Sequence, residues 1–129
     1  MITNDQIEAY MIETELPFER VKDGFWLIHD QSDAVDNIVV VHTPPVITFR
    51  VKLIDIPESA NREELFARLL QLNATSMVAG AYGLEDNAVV IVDSLQSENL
   101  DYNEFQASID SIAFAVGDHY TELSTLIAN

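Results

Sequence analysis

Residues 46–95, VITFRVKLIDIPESANREELFARLLQLNATSMVAGAYGLEDNAVVIVDSL, set one short helix between two stretches of strand. From Val46 to Leu53 the side chains of Ile47, Phe49, Val51 and Leu53 share one face, while Thr48, Arg50 and Lys52 share the other, the period-two pattern of a half-buried strand. Thr43-Pro44-Pro45 separates this run from the β-branched run Ile38 to His42, and because proline donates nothing to a ladder the chain must turn there, making a hairpin. Asn61 and Glu64 then stand at capping distance ahead of Leu65, Phe66, Leu69, Leu70 and Leu72, which predicts a helix with a broad apolar face. Met77 to Leu84 and Ala88 to Leu95 form a second strand pair around Glu85-Asp86-Asn87, where Asp and Asn tolerate turn geometry.

Outward from that centre, Thr3 and Gln6 have capping-box spacing and Ile7, Tyr10 and Met11 follow at helical intervals, so a helix is expected over Thr3 to Thr14, ended by Pro17. Phe18 to Lys22 and Phe25 to His29 flank Asp23-Gly24 and read as a strand with a turn or bulge inside it, followed by a polar connection from Asp30 to Asp36. At the other end Asp101 and Glu104 open a long helix. Its stripe is Phe105, Ile109, Ile112, Val116, Tyr120, Leu123 and Ile127. Gly117 inside that helix costs about 1 kcal/mol relative to alanine and is expected to mark a bend or a close contact. The order is α-β-β-β-α-β-β-α, an α+β fold with helices packed on an antiparallel sheet.

The chain has 129 residues, 48% of them apolar, with only four glycines and four prolines; this is the makeup of one ordered domain, expected to span residues 1–129. Six Lys and Arg stand against 22 Asp and Glu, a net charge of −16, and beyond Arg68 there is no Lys or Arg at all. Such a charge keeps a protein soluble and repels phosphate backbones and anionic lipid, so neither nucleic acid nor a membrane is an expected partner. The absence of cysteine excludes a disulfide framework, a thiolate nucleophile and a cysteine-based zinc site. The first residues show no basic region or apolar core of a leader, and no apolar run is long enough to span a bilayer, so a cytoplasmic location is expected.

The stretch Asn61 to Asn73, followed by Ala79-Gly80-Ala81-Tyr82-Gly83-Leu84, the run Val89 to Leu95 and the closing helix, resembles the YbjN-like family of bacterial proteins, which shares its fold with type III secretion chaperones of the Tir-chaperone kind. The resemblance covers about four fifths of the chain. It implies a curved antiparallel sheet, small acidic subunits that pair as homodimers, and binding of another protein or of an extended peptide segment. It brings no catalytic residue and no cofactor.

Three groups of residues argue for binding on their own account. In the second helix Leu65, Leu69 and Leu72 cluster while Phe66 and Leu70 widen the face; either part of it packs in the core and the rest meets a second subunit, or neighbouring elements cover it all. Arg20 and Lys22 in one strand and Arg50 and Lys52 in another repeat the same spacing. On adjacent strands they would make a basic strip that reads acidic groups of a partner or pairs across subunits; otherwise they make surface salt bridges. Phe114 lies opposite the stripe of the last helix with Asp110 and Asp118 at i±4, either an anchor for a partner or a lone exposed aromatic.

Catalytic and metal patterns are weak. Asp30, Asp33 and Asp36 fail the cation-loop spacing, with Val41 where a terminal Glu is required. His29, His42 and His119 form no HxH or HxxxH pair, Gly80-Ala81-Tyr82-Gly83 lacks a phosphate-loop pattern, and no serine sits in a GxSxG elbow. The sequence therefore reads as a non-enzymatic protein-binding module with no cofactor or metal. The alternative is a small enzyme or metal-binding protein built from the histidines and carboxylates.

Overall fold

The Thr3 hydroxyl accepts the Gln6 N–H while the Gln6 side chain accepts the Thr3 N–H, and this reciprocal box opens α1, Asn4–Glu13. The computed structural model describes residues 2–29 and 37–128, so the connection holding Asp30, Asp33 and Asp36 lies outside the described residues. After α1 come β1 (Phe18–Lys22), β2 (Phe25–Ile28), β3 (Ile38–Thr43), β4 (Val46–Asp55), α2 (Arg62–Thr75), β5 (Ala81–Glu85), β6 (Ala88–Gln96) and α3 (Tyr102–Ile127). The six strands form one antiparallel sheet in the order β1-β2-β3-β4-β6-β5. The observed order is thus α-β-β-β-β-α-β-β-α, with one strand more than the sequence pattern counts. The stretch from Phe18 to His29 is not one interrupted strand but two strands paired with each other, because Gly24 adopts φ +76° and reverses the chain.

The second strand pair also starts later than Met77. Helix α2 runs on to Thr75, and the Ser76 and Met77 N–H groups both donate to the Leu72 carbonyl. Strand β5 is then set by Gly80, at φ +75°, where a Cβ would stand 2.8 Å from the Val92 carbonyl oxygen. The Asn73 side chain locks the end of α2 against β5, accepting the Tyr82 N–H at 2.7 Å and donating to the Tyr82 carbonyl at 3.2 Å.

One face of the sheet is dry. Trp26, Val40, Ile47, Phe49, Val51 and Ile91 are buried there against Ile7 and Met11 of α1 and Phe105, Ile109 and Ile112 of α3. Burial alternates along β3 and β4 as the period-two pattern requires. A polar pair crosses the core: Asp93 of β6 accepts the Ser108 hydroxyl of α3 at 2.6 Å. Helix α3 starts at Asp101 in a second capping box. It buries Phe105, Ile109, Ile112, Val116 and Leu123 fully, with Tyr120 and Ile127 packed at the margin.

Gly117 marks no close contact. Helix α3 passes through it unbroken and open space surrounds the position of a Cβ. Gly117→Ala is therefore expected to raise stability by about 0.5–1 kcal/mol, read as a higher urea midpoint, since alanine restricts the unfolded chain and meets nothing in the helix.

His42, on the dry face at the end of β3, has a lowered pKa because burial penalises its charged form. Its Nδ1 lies 2.8 Å from Asn4 Oδ1, which accepts the ring proton, and Nε2 is buried without a partner among the described residues. Above the unfolded value of 6.5 neither state of this ring holds a second proton; below it the unfolded chain takes the proton first, so stability falls as pH drops through 6.5 toward the folded value. Urea midpoints measured on either side of that value should fall toward acid more steeply for the native chain than for His42→Gln. Equal slopes would remove His42 as the cause.

Candidate protein-binding site

Helix α2 lies along the β5 edge of the sheet and divides its apolar residues between two surroundings. Leu65, Leu69 and Leu72 are buried in the core, the part of the face that packs, and Leu69 also lines the groove beside it. Phe66 is half-buried and Leu70 is 70% exposed, and Leu84 of β5 is 52% exposed beside them. These side chains, with Leu69, Tyr82 and Gly83, line a groove of about 320 Å³ that carries no charged residue. Leu84 escaped the sequence pattern. It shares the inward parity of Tyr82, yet no helix covers it at the sheet's edge.

Beneath the groove Tyr82 is anchored to α3. Its hydroxyl lies 2.6 Å from His119 Nδ1, and His119 Nε2 lies 3.2 Å from Asp118 Oδ2, so the ring bridges the tyrosine of β5 and a carboxylate of its own helix. Burial, then the Asp118 and Glu122 charges, push the Tyr82 hydroxyl well above its ordinary pKa, so it remains a proton donor. Where α2 meets α3, outside the groove, Arg68 pairs with Glu122, and this hydrogen bond holds the carboxyl below its usual value.

The two edges of the sheet differ. Strand β1 carries Glu19, Arg20 and Lys22 and a bulge between Arg20 and Lys22, features that discourage pairing with another chain. Strand β5 has a single charge, Glu85, at its end.

The basic strip expected from Arg20, Lys22, Arg50 and Lys52 does not form. Two strands, β2 and β3, separate β1 from β4 in the sheet. The β1 bulge then places Arg20 opposite Trp26, on the helix-covered face, and Lys22 opposite Phe25, on the other face. Arg20 meets Asp23 and, on α1, Glu8 at 3.6 Å; the Lys22 ammonium sits 5.9 Å from the Phe25 ring centre. Arg50 pairs with Glu85, and Lys52 lies 3.4 Å from Asp55. These are local ion pairs of small energetic weight. Only Arg50 and Lys52 of the four line a common hollow, an open one of about 350 Å³ on the uncovered sheet face, together with Asp55, Glu85 and Asp86.

Phe114 stands out from α3, 65% exposed, as its phase predicts, and lines a hollow with a residue the sequence did not single out: Val78, 87% exposed in the α2–β5 connection. The histidines do not converge. His29 follows β2 with Nδ1 3.2 Å from Asn37 Oδ1, His42 bonds Asn4, and His119 bonds Tyr82. Among the described residues no three His, Asp or Glu side chains are placed to hold a metal ion, and no helix is long and apolar enough to cross a membrane.

The family model CesT_Tir_1 matches residues 2–129. The chain belongs to that family. No curated protein matches it by sequence. Among solved structures, YbjN of E. coli, described as a putative transcription regulator, is 16% identical with a TM-score of 0.71 over 94% of this chain and 93% of its own. A chain of the heterodimeric ExoU–SpcU complex from the type III secretion system of Pseudomonas aeruginosa is 16% identical with a TM-score of 0.67, covering 95% of this chain and 98% of its own. A chain of the ExsC–ExsE complex is 10% identical with a TM-score of 0.64, covering 95% and 97%. CesT_Tir_1 membership and these likenesses agree on the fold: three helices on an open six-stranded antiparallel sheet, the YbjN-like and secretion-chaperone architecture.

Proposed function

We propose that the protein is a chaperone-like holder of partner proteins and that it works as a homodimer paired through α2 and β5. The observation that carries the pairing is the uncharged groove of Phe66, Leu70 and Leu84 on a chain of net charge −16. Two such subunits repel each other, and a face without carboxylates is where contact costs least electrostatically while covering exposed leucines. The lightly charged β5 edge, against the charged and bulged β1 edge, supports the same choice of surface. The holding role rests on CesT_Tir_1 membership and on neighbours whose structures are complexes, ExoU–SpcU, ExsC–ExsE and the chaperone–effector pair HopA1–SchA.

Affinity capture from native lysate of the source organism tests the holding role. The native chain should recover one protein reproducibly and at amounts comparable to its own. Recovery of the chain alone, in repeated captures at low salt, would contradict the reading.

A further inference from the structure

A second groove lies beyond the C-terminus of α2, between Ser76, Met77 and Val78 and the middle of α3. Met77, Val78, Phe114 and Ala115 line about 250 Å³, with Asp110 and Ser111 on the rim. Phe114 and Val78 are among the most exposed large apolar side chains among the described residues, and they line a single hollow. An aromatic and a branched aliphatic side chain so placed form an anchor site of the kind that dominates protein docking.

The charge around this hollow differs from that of the Leu70 groove. Asp110 and Asp118 stand one turn before and one turn after Phe114, and Asp118 is more than half exposed, with one oxygen directed to His119. No Lys or Arg occurs from residue 69 to residue 129, and the one guanidinium of α2 that reaches α3, Arg68, is paired with Glu122. The hollow is therefore lined mainly by apolar side chains, with Asp110 its one charged lining residue and Asp118 one turn beyond Phe114. A second copy of this acidic chain is a poor occupant, because it would bring carboxylates to carboxylates. A segment with an apolar side chain between Lys or Arg residues fits on both counts, and a cation over the Phe114 ring adds attraction.

We propose that the groove between the α2–β5 connection and the middle of α3 docks a cationic segment of a partner protein, its apolar side chain against Phe114 and Val78 and its basic side chains on Asp110 and Asp118. The proposal rests on the partner-holding reading and names the chemistry of the segment that is held.

The probe is a short synthetic peptide of alternating leucine and lysine, labelled for fluorescence anisotropy, beside a version with glutamate for every lysine. The lysine peptide should bind, and Phe114→Ala with Val78→Ser should weaken it about tenfold or more. Asp110→Asn with Asp118→Asn should weaken it and flatten its salt dependence between about 50 mM and about 300 mM, while Glu58→Gln with Glu98→Gln, exposed elsewhere, should leave both unchanged. Equal binding by the Phe114/Val78 variant, or an equal effect of the two carboxylate pairs, overturns the site in favour of diffuse attraction to an acidic surface. A change of solution mass in the Phe114/Val78 variant overturns it in favour of a second copy. Phe114 and Val78 are exposed, so their replacement should leave the far-ultraviolet spectrum and urea midpoint unchanged. A chain that captures a native partner regardless of these variants refutes the groove alone, whereas one that captures nothing refutes the holding role.

Discussion

Phe105→Ala is expected to lower stability by about 3–5 kcal/mol, a large part of what a domain of this size has. The ring is fully buried at the start of α3 and joins three elements. It meets the Phe49 ring of β4 edge-on at 5.4 Å between centres, and the Tyr10 ring of α1 at 5.8 Å. Truncation removes the transfer energy of the ring and leaves a cavity that a rigid sheet on one side cannot close. In urea the midpoint should fall by about 2 M, given slopes of about 1–3 kcal/mol/M for small proteins. The exposed Phe114 serves as the internal comparison: its replacement by alanine should stay within about 0.5 kcal/mol. A loss below about 1 kcal/mol at Phe105 would mean that α3 does not pack on β4 as described.

Leu70→Glu combined with Leu84→Glu is expected to weaken self-association at least a hundredfold, about 2.7 kcal/mol or more, without unfolding the chain. Both side chains are more than half exposed in the subunit, so glutamate at these positions stays solvated in the monomer. In a symmetric pair each change occurs twice, placing four new carboxylates in a face that has no cation to meet them. Arg68 of α2 is already engaged by Glu122 of α3, and Arg62, one turn before Phe66, is outside the groove lining. Dilution series of native and doubly substituted chain, followed by light scattering, compare the two directly. Similar dissociation constants would move the dimer contact to another surface.

What the sequence revealed and what it hid follow from the range of the forces involved. Thr3 with Gln6, Asn61 with Glu64 and Asp101 with Glu104 located every helix start, because a cap is settled within one turn. The stripe of α3 and the alternation of β4 also held, since both record burial on a single face. The basic pairs misled because a bulge reverses parity, and nothing in Arg20-Val21-Lys22 announces one. Strand order was hidden as well: the neighbour of β4 across the sheet is β6, reached only after α2 and β5, so Arg50 comes to lie against Glu85, far away in sequence. Val78 and Leu84 gained interest only from what the fold leaves uncovered. Gly117 shows the converse, a residue whose local cost suggested a role that the surrounding space does not require.

Sedimentation equilibrium of the native protein at micromolar concentration shows whether a second copy of the chain covers the uncharged groove between α2 and β5. The expected mass is twice the 14.4 kDa of one chain, falling toward the single-chain value only on dilution. A mass of one chain held constant across the whole concentration range would contradict it.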